Sequence, residues 1–120
     1  MKTILVADDN PLSRELILDI LEGTGHRLVE ACDGREAIDQ VERLKPDLVL
    51  LDIQMPHTDG YGVLSAIRSD PQLASLRVVA LTAFAMDSDR LKVNSAGFDG
   101  YMTKPIDIEA LRALVQSYLG

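Results

Sequence analysis

The chain has a single cysteine, Cys32, and no tryptophan. A lone cysteine cannot close an internal disulfide, which sets aside the small secreted disulfide scaffolds and suits a reducing, cytoplasmic setting. Its expected state is a small buried thiol. Aromatic residues make up only 4% of the chain, so the core must be aliphatic. No apolar run approaches the roughly 20 residues of a membrane-spanning helix. Met1-Lys2-Thr3 leads directly into a strand-like run, without the pattern of a targeting segment. Clusters of Lys and Arg are missing too. With a formal net charge of −7, the surface repels phosphate backbones, and direct nucleic-acid binding is not expected.

What remains is a chain of 120 residues, 47% of them apolar. That fits one domain over residues 1–120, large enough to bury roughly two-thirds of its unfolded surface. Two kinds of segment alternate along it. Apolar runs at Thr3–Ala7, Leu28–Ala31, Leu48–Leu51 and Val78–Leu81, with a weaker one at Tyr101–Met102, predict strands buried on both faces. Helical spacing lies between them. Leu12, Leu16, Ile17, Ile20 and Leu21 follow the capping pair Asn10-Pro11 and stop near Gly23 or Gly25. Ala37, Ile38, Val41 and Leu44 mark a second helix before Pro46, and Val63, Leu64 and Ile67 a third before Asp70-Pro71. Ile108, Leu111, Leu114, Val115 and Leu119 form the last stripe. The fourth helical segment, Asp87 to Ser95, has only Leu91 and Val93 as large apolar residues, so little packing should anchor it.

A strand and a helix repeated five times imply an α/β fold, a doubly wound parallel sheet with helices on both faces. In such sheets, sites gather beyond the carboxyl ends of the strands. The first strand ends at Asp8-Asp9, the third at Asp52 and the fourth at Thr82-Ala83, and the fifth leads into Lys104-Pro105. Carboxylates, a hydroxyl and an ammonium therefore converge on one rim. Packed at ~4 Å without a cation, like charges repel by ~4 kcal/mol per pair at an effective dielectric near 20. A hard divalent ion resolves this. Mg²⁺ takes one or two carboxylates, several waters and a phosphate oxygen, and Lys104 and Thr82 can hold the other oxygens of a phosphoryl group. Asp52 is then the natural nucleophile.

Asp8-Asp9, the run Asp52-Ile53-Gln54-Met55-Pro56 with Asp59-Gly60, Thr82-Ala83, Lys104-Pro105 and Gly34-Arg35-Glu36-Ala37 together resemble the receiver-domain signature of two-component response regulators. The match extends over the whole chain. The resemblance implies the flavodoxin-like (βα)5 fold with strand order 2-1-3-4-5. It implies Asp52 as phosphoacceptor. Asp9, Asp52 and the carbonyl of Gln54 would ligate Mg²⁺, with Asp8 acting through water. Thr82 and Lys104 would contact the phosphoryl group, Tyr101 would be the switch aromatic, and the peptide before Pro105 would be cis. Implied partners are a histidine kinase or histidine phosphotransfer protein, docking through the first helix, and a downstream protein on the face of helix 4, strand 5 and helix 5.

The run Thr82-Ala83-Phe84-Ala85-Met86 is closer to stand-alone regulators of the DivK type, and to receivers of hybrid kinases, than to chemotaxis regulators. His26 and His57 are expected at the surface, since the phosphodonor histidine belongs to the partner. Met1 immediately before the first strand favours a single-domain regulator over an excised receiver. Three rival readings fit less well. An aspartyl phosphohydrolase wants an acid two positions after its nucleophile, where this chain has Gln54, and it needs a cap insert. A pseudo-receiver scaffold would not need the full set of acids, Thr and Lys. A flavin carrier of the same topology fails on the charge of Asp8-Asp9.

Overall fold

A computed structural model describes residues 1–55, 58–83 and 87–119, the side chains of residues 87–90 excepted. Each apolar run becomes a strand and each stripe a helix: β1 Thr3–Ala7, α1 Pro11–Leu21, β2 Arg27–Ala31, α2 Gly34–Leu44, β3 Leu48–Asp52, α3 Gly60–Ser69, β4 Arg77–Thr82, α4 Asp87–Ala96, β5 Gly100–Thr103 and α5 Ile108–Leu119. The strands pair in parallel in the order β2-β1-β3-β4-β5.

Helix boundaries follow local chemistry. The Asn10 side chain accepts from the amides of Leu12 and Ser13, while Pro11 opens α1 where its missing N–H costs nothing. After Leu21 the chain tightens into a single 3₁₀ turn, Glu22–Thr24, and leaves through Gly25 at φ 82°. Lys45 closes α2 in the left-handed region at φ 46°, one residue before Pro46.

Strand alternation sorts the core into two layers. Leu5, Val49, Leu51, Val78 and Ala80 meet α2 and α3, with Val93 of α4 and Phe98. Ile4, Val6, Leu48, Leu50, Val79 and Leu81 meet α1 and α5 on the other face. Every residue of β3 is buried, as expected of a central strand. β2 departs from expectation, because it is an edge strand with Arg27 and Glu30 exposed.

Two apolar stripes are only partly buried, and one further expectation, for Cys32, is corrected. Leu12 and Leu16 are 75% and 42% exposed, because α1 turns Ile17, Ile20 and Leu21 toward the sheet and leaves the other flank of its apolar stripe outward. Ile108 is also exposed, since α5 is anchored from Leu111 onward. Cys32 is exposed rather than buried, just beyond the end of the edge strand, with its thiol donating to Glu36 Oε2 at 3.3 Å. That hydrogen bond to the carboxylate, together with slight desolvation, pushes the thiol pKa up. In α4, by contrast, the sparse apolar pattern holds: Val93 is buried and Leu91 is 67% exposed. No helix among the described residues is long and apolar enough to cross a membrane.

Candidate functional site

Parity and register place the two deepest acids. Ile4 and Val6 face α1 and α5, so Asp8, two residues further, continues on that side; Leu48 and Leu50 do the same for Asp52. Ala7 pairs with Leu51, so Asp8 and Asp52 leave adjacent strands at the same level. Asp8 is fully buried and Asp52 is 5% exposed, while Asp9, of opposite parity, is exposed. Carboxylate oxygens of all three lie within 4.8 Å of one another.

Lys104 supplies the compensating charge. Its Nζ donates to Asp8 Oδ2 at 2.8 Å and to Asp52 Oδ2 at 2.9 Å. Its own backbone amide donates to the Thr82 carbonyl at 2.7 Å, which ties the chain beyond β5 to the end of β4. The Lys104–Pro105 peptide is cis. The remaining oxygens are satisfied locally, with Asp52 Oδ1 accepting from the Gln54 amide and Asp8 Oδ1 from the Asn10 amide, both at 2.9 Å. Burial raises the Asp52 pKa, and the nearby Asp8 charge adds to this, against the opposing hydrogen bonds from Lys104 and Gln54. For Lys104, burial pulls the pKa down, but the hydrogen bonds to Asp8 and Asp52 outweigh it and the net direction is up. One ammonium among three carboxylates leaves an anionic pocket with hard oxygen donors, two buried and one open to water. That donor set suits a hydrated divalent cation.

The loop after β3 is held by close backbone approach. The Gly60 amide donates to the Ile53 carbonyl at 2.8 Å. A Cβ on Gly60 would stand 2.6 Å from Ile53 Cα and 2.8 Å from the Asp52 carbonyl. Only glycine lets α3 begin this close to the acid. Gly34 plays the matching part on α2, where an added Cβ would collide with the backbone of Thr58.

Thr82 ends β4 with 1% exposure. Its neighbours Val78 and Ala80, at matching parity, face α2 and α3, so Thr82 belongs to that side of the sheet. Tyr101 pairs with Ala80 across β4 and β5, is half-buried, and packs against the same layer. The two anticipated switch residues thus share a face with α4. His26 is half-buried, its Nδ1 accepting from the Lys2 amide at 3.2 Å. Pro56, His57, Phe84, Ala85 and Met86 lie outside the described residues.

Arg14 was not singled out from the sequence. Its guanidinium donates to the Asp8 carbonyl at 2.6 Å and bridges to Glu30 at 2.9 Å, bracing the first acidic residue from α1. Its place one turn after the cap, on the flank next to the rim, was the available signal. Arg68 was missed as well. It donates to the carbonyls of Ala74, Leu76 and Gly97 and to Asp99 Oδ2, pinning the far end of α4 to the loops at the opposite edge of the sheet.

Comparison with known proteins gives one answer. The family model of the response regulator receiver domain matches residues 4–116, and this chain belongs to that family. The polar-differentiation response regulator DivK of Brucella anthropi is 34% identical over 119 residues, which cover 99% of this chain and 97% of DivK. The receiver domain of a Pseudomonas aeruginosa sensor histidine kinase, solved with magnesium coordinated in its active-site cleft, superposes with a TM-score of 0.89. It is 32% identical, with 98% of this chain and 96% of that one covered. The chemotaxis protein CheY4 of Vibrio cholerae superposes with a TM-score of 0.91 at 26% identity, over 99% of each chain. The fold is the flavodoxin-like arrangement of these receivers, and the function is that of a phosphoacceptor response regulator in two-component signalling.

Proposed function

We propose that residues 1–120 form one receiver domain in which Asp52 accepts a phosphoryl group from the phosphohistidine of a kinase or phosphotransfer protein. The observation that carries this reading is the position of Asp52. It is a buried carboxylate at the end of the central strand, held by Lys104 and the Gln54 amide, with Asp8 and Asp9 close by. Asp9, Asp52 and the Gln54 carbonyl would hold Mg²⁺, with Asp8 acting through water. When bound, the ion supplies charge neutralisation to the phosphoryl oxygens.

The protein's own groups do the rest. Asp52 offers an oxygen lone pair in line with the scissile bond, and Lys104 neutralises charge on the incoming phosphoryl group. Thr82 donates its hydroxyl to a phosphoryl oxygen. Tyr101, on the same face as Thr82, then changes packing together with α4. A surface built from α4, β5 and α5 reads that change, and a downstream protein binds it. Phosphate biases two pre-existing states, and a shift from 1:99 to 99:1 takes about 5.5 kcal/mol of differential interaction. A few charge-assisted contacts at about 1.5–3 kcal/mol each supply it. The chain would act as a switch, catalysing only its own phosphorylation and slow dephosphorylation. Its place would be the cytoplasm, where its partners act and an exposed Cys32 stays reduced.

Intact mass after incubation with acetyl phosphate tests this, with and without Mg²⁺, on wild type and Asp52→Asn. The expected result is a Mg²⁺-dependent gain of one phosphoryl group that the substitution abolishes. A gain surviving Asp52→Asn would assign the acceptor elsewhere, and no gain in wild type would favour a phosphorylation-independent scaffold.

A further inference from the structure

Beside the acidic rim, on the α3 and α4 side of the sheet, lies an open cavity of about 270 Å³. Ile53, Gln54, Asp59, Tyr61, Thr82, Lys92 and Val93 line it. Two of these lead directly to the acceptor. The amide of Gln54 holds Asp52 Oδ1, and Thr82 is the buried hydroxyl at the end of the neighbouring strand. Asp59, the cap of α3, has its Oδ1 taken up by the Gly62 amide, and the cation at the cavity's edge belongs to Lys92, an exposed residue of α4.

Lys92 is not left to sweep through solvent. Its Nζ stands 4.7 Å from the centroid of the Tyr61 ring, within the range where an ammonium is attracted to the aromatic face. Tyr61 is in turn braced edge-on by Phe98, with ring centroids 5.8 Å apart. A packed aromatic on α3 thus holds the ammonium at the cavity. The electrostatic need for it follows from the charge of the whole chain. With Mg²⁺ bound, the three carboxylates, Lys104 and the ion would balance locally, but the chain carries a net charge of −7, so a free anionic phosphodonor approaches against repulsion. A partner protein can offset that with its own docking surface, whereas a small molecule cannot.

We propose that Lys92 is a positioning residue for small acyl-phosphate donors, drawing the dianion into the Tyr61–Thr82–Gln54 cavity from which its phosphoryl group passes to Asp52. This rests on Asp52 being the acceptor. In the step, a carboxylate oxygen of Asp52 forms the new P–O bond. The bond between phosphorus and the acyl oxygen breaks, and the acyl carboxylate leaves with the electron pair. No proton or further reactant is needed. Lys92 takes no part in bond making and acts on encounter, by steering.

The test compares phosphorylation rate constants of wild type, Lys92→Gln and Lys92→Arg, measured by intact mass in Mg²⁺ with two donors, acetyl phosphate and phosphoramidate. Phosphoramidate carries less negative charge at neutral pH. Lys92→Gln is expected to slow reaction with acetyl phosphate by about 3- to 10-fold, as loss of one steering charge does, and to flatten its salt dependence. Phosphoramidate should change by less than about 2-fold on the same steering argument, and Lys92→Arg should restore the acetyl phosphate rate. An unchanged acetyl phosphate rate, or an equal loss with both donors, overturns the proposal. A second readout separates it from the identity of the acceptor. In an Asp52→Asn background, acetyl phosphate is titrated against the amide resonances of Tyr61 and Val93. Shifts that disappear with Lys92→Gln support the cavity even if the acceptor lies elsewhere, and their absence with Lys92 present overturns it.

Discussion

Lys104 and Asp52 stand 52 positions apart in the chain and 2.9 Å apart in the fold. The same ammonium reaches the fully buried Asp8 at 2.8 Å. One cation beyond the last strand therefore offsets the charge of two strands at the centre of the sheet. Lys104→Met should destabilise the protein in EDTA by about 1.5–3 kcal/mol, the usual worth of hydrogen bonds to charged groups. Millimolar Mg²⁺ should return part of that loss, and urea denaturation in the two buffers measures both. The pKa of Lys104 lies above its ordinary 10.5, because the hydrogen bonds to the acids outweigh burial. Its stabilisation is thus fully present below pH 10.5 and lost as pH rises through the folded-state value. Wild type should lose its advantage over Lys104→Met across that alkaline window.

Asp52 behaves in the opposite sense at neutral pH. Burial raises its pKa above the ordinary 3.8 despite Lys104 and the Gln54 amide. The folded state therefore binds this proton more tightly than the unfolded chain. Stability from the group is full below pH 3.8 and lost as pH rises through the folded-state value. In EDTA at pH 7, Asp52→Asn should unfold at higher urea than wild type, with the gap closing as the pH falls toward 3.8. A less stable Asp52→Asn at pH 7 would mean that the Lys104 contact outweighs the cost of burial.

Asp9 is the exposed member of the acidic trio. Asp9→Asn should leave stability in EDTA within about 0.5 kcal/mol, as surface substitutions do. It should nevertheless weaken Mg²⁺ binding about 10-fold or more, since the ion takes only one or two carboxylates directly. Calorimetric Mg²⁺ titration beside urea melts separates the two effects.

Gly60→Ala tests the approach of α3 to the acceptor. The added methyl would meet backbone atoms of Ile53 and Asp52, which cannot rotate away. A loss of about 1–3 kcal/mol is expected, as for other overpacked sites. Phosphorylation should slow as the Asp52 backbone is displaced, which time-resolved intact mass would read.

Arg68 anchors one end of α4 through Gly97 and Asp99, while Val93 is the buried apolar contact of the helix itself. Arg68→Ala should lower stability by about 1.5–3 kcal/mol. It should also raise amide hydrogen exchange in 91–97 more than in α5, because among the described side chains of α4 only Val93 is buried to hold it.

Much of this was legible from residue order. Unbroken aliphatic runs announced buried parallel strands, and Asn10-Pro11 announced the start of α1. The polar strand ends announced a single rim, and the weak apolar content of α4 matched Val93 as the one buried residue among its described side chains. Helix rotation and strand order were not legible. Leu12, Leu16 and Ile108 belong to apolar stripes yet stay exposed, because a helical stripe is wider than the contact a sheet makes with it. Cys32 read as buried because edge position is a property of strand order and not of the strand's own letters.

By itself, the sequence determined the alternation of elements, the aliphatic core and the residue types that end each strand, since these depend on periodicity and local capping. Tertiary structure alone decided which acid is buried. Asp8 and Asp9 are adjacent letters, and parity with register sends one to Lys104 and the other to water. It also decided that Arg14 braces Asp8, that Arg68 pins α4 and that Lys92 rests on Tyr61. Those contacts join elements far apart in the chain, and their geometry exists only once the strands have paired and the helices have settled in rotation against the sheet.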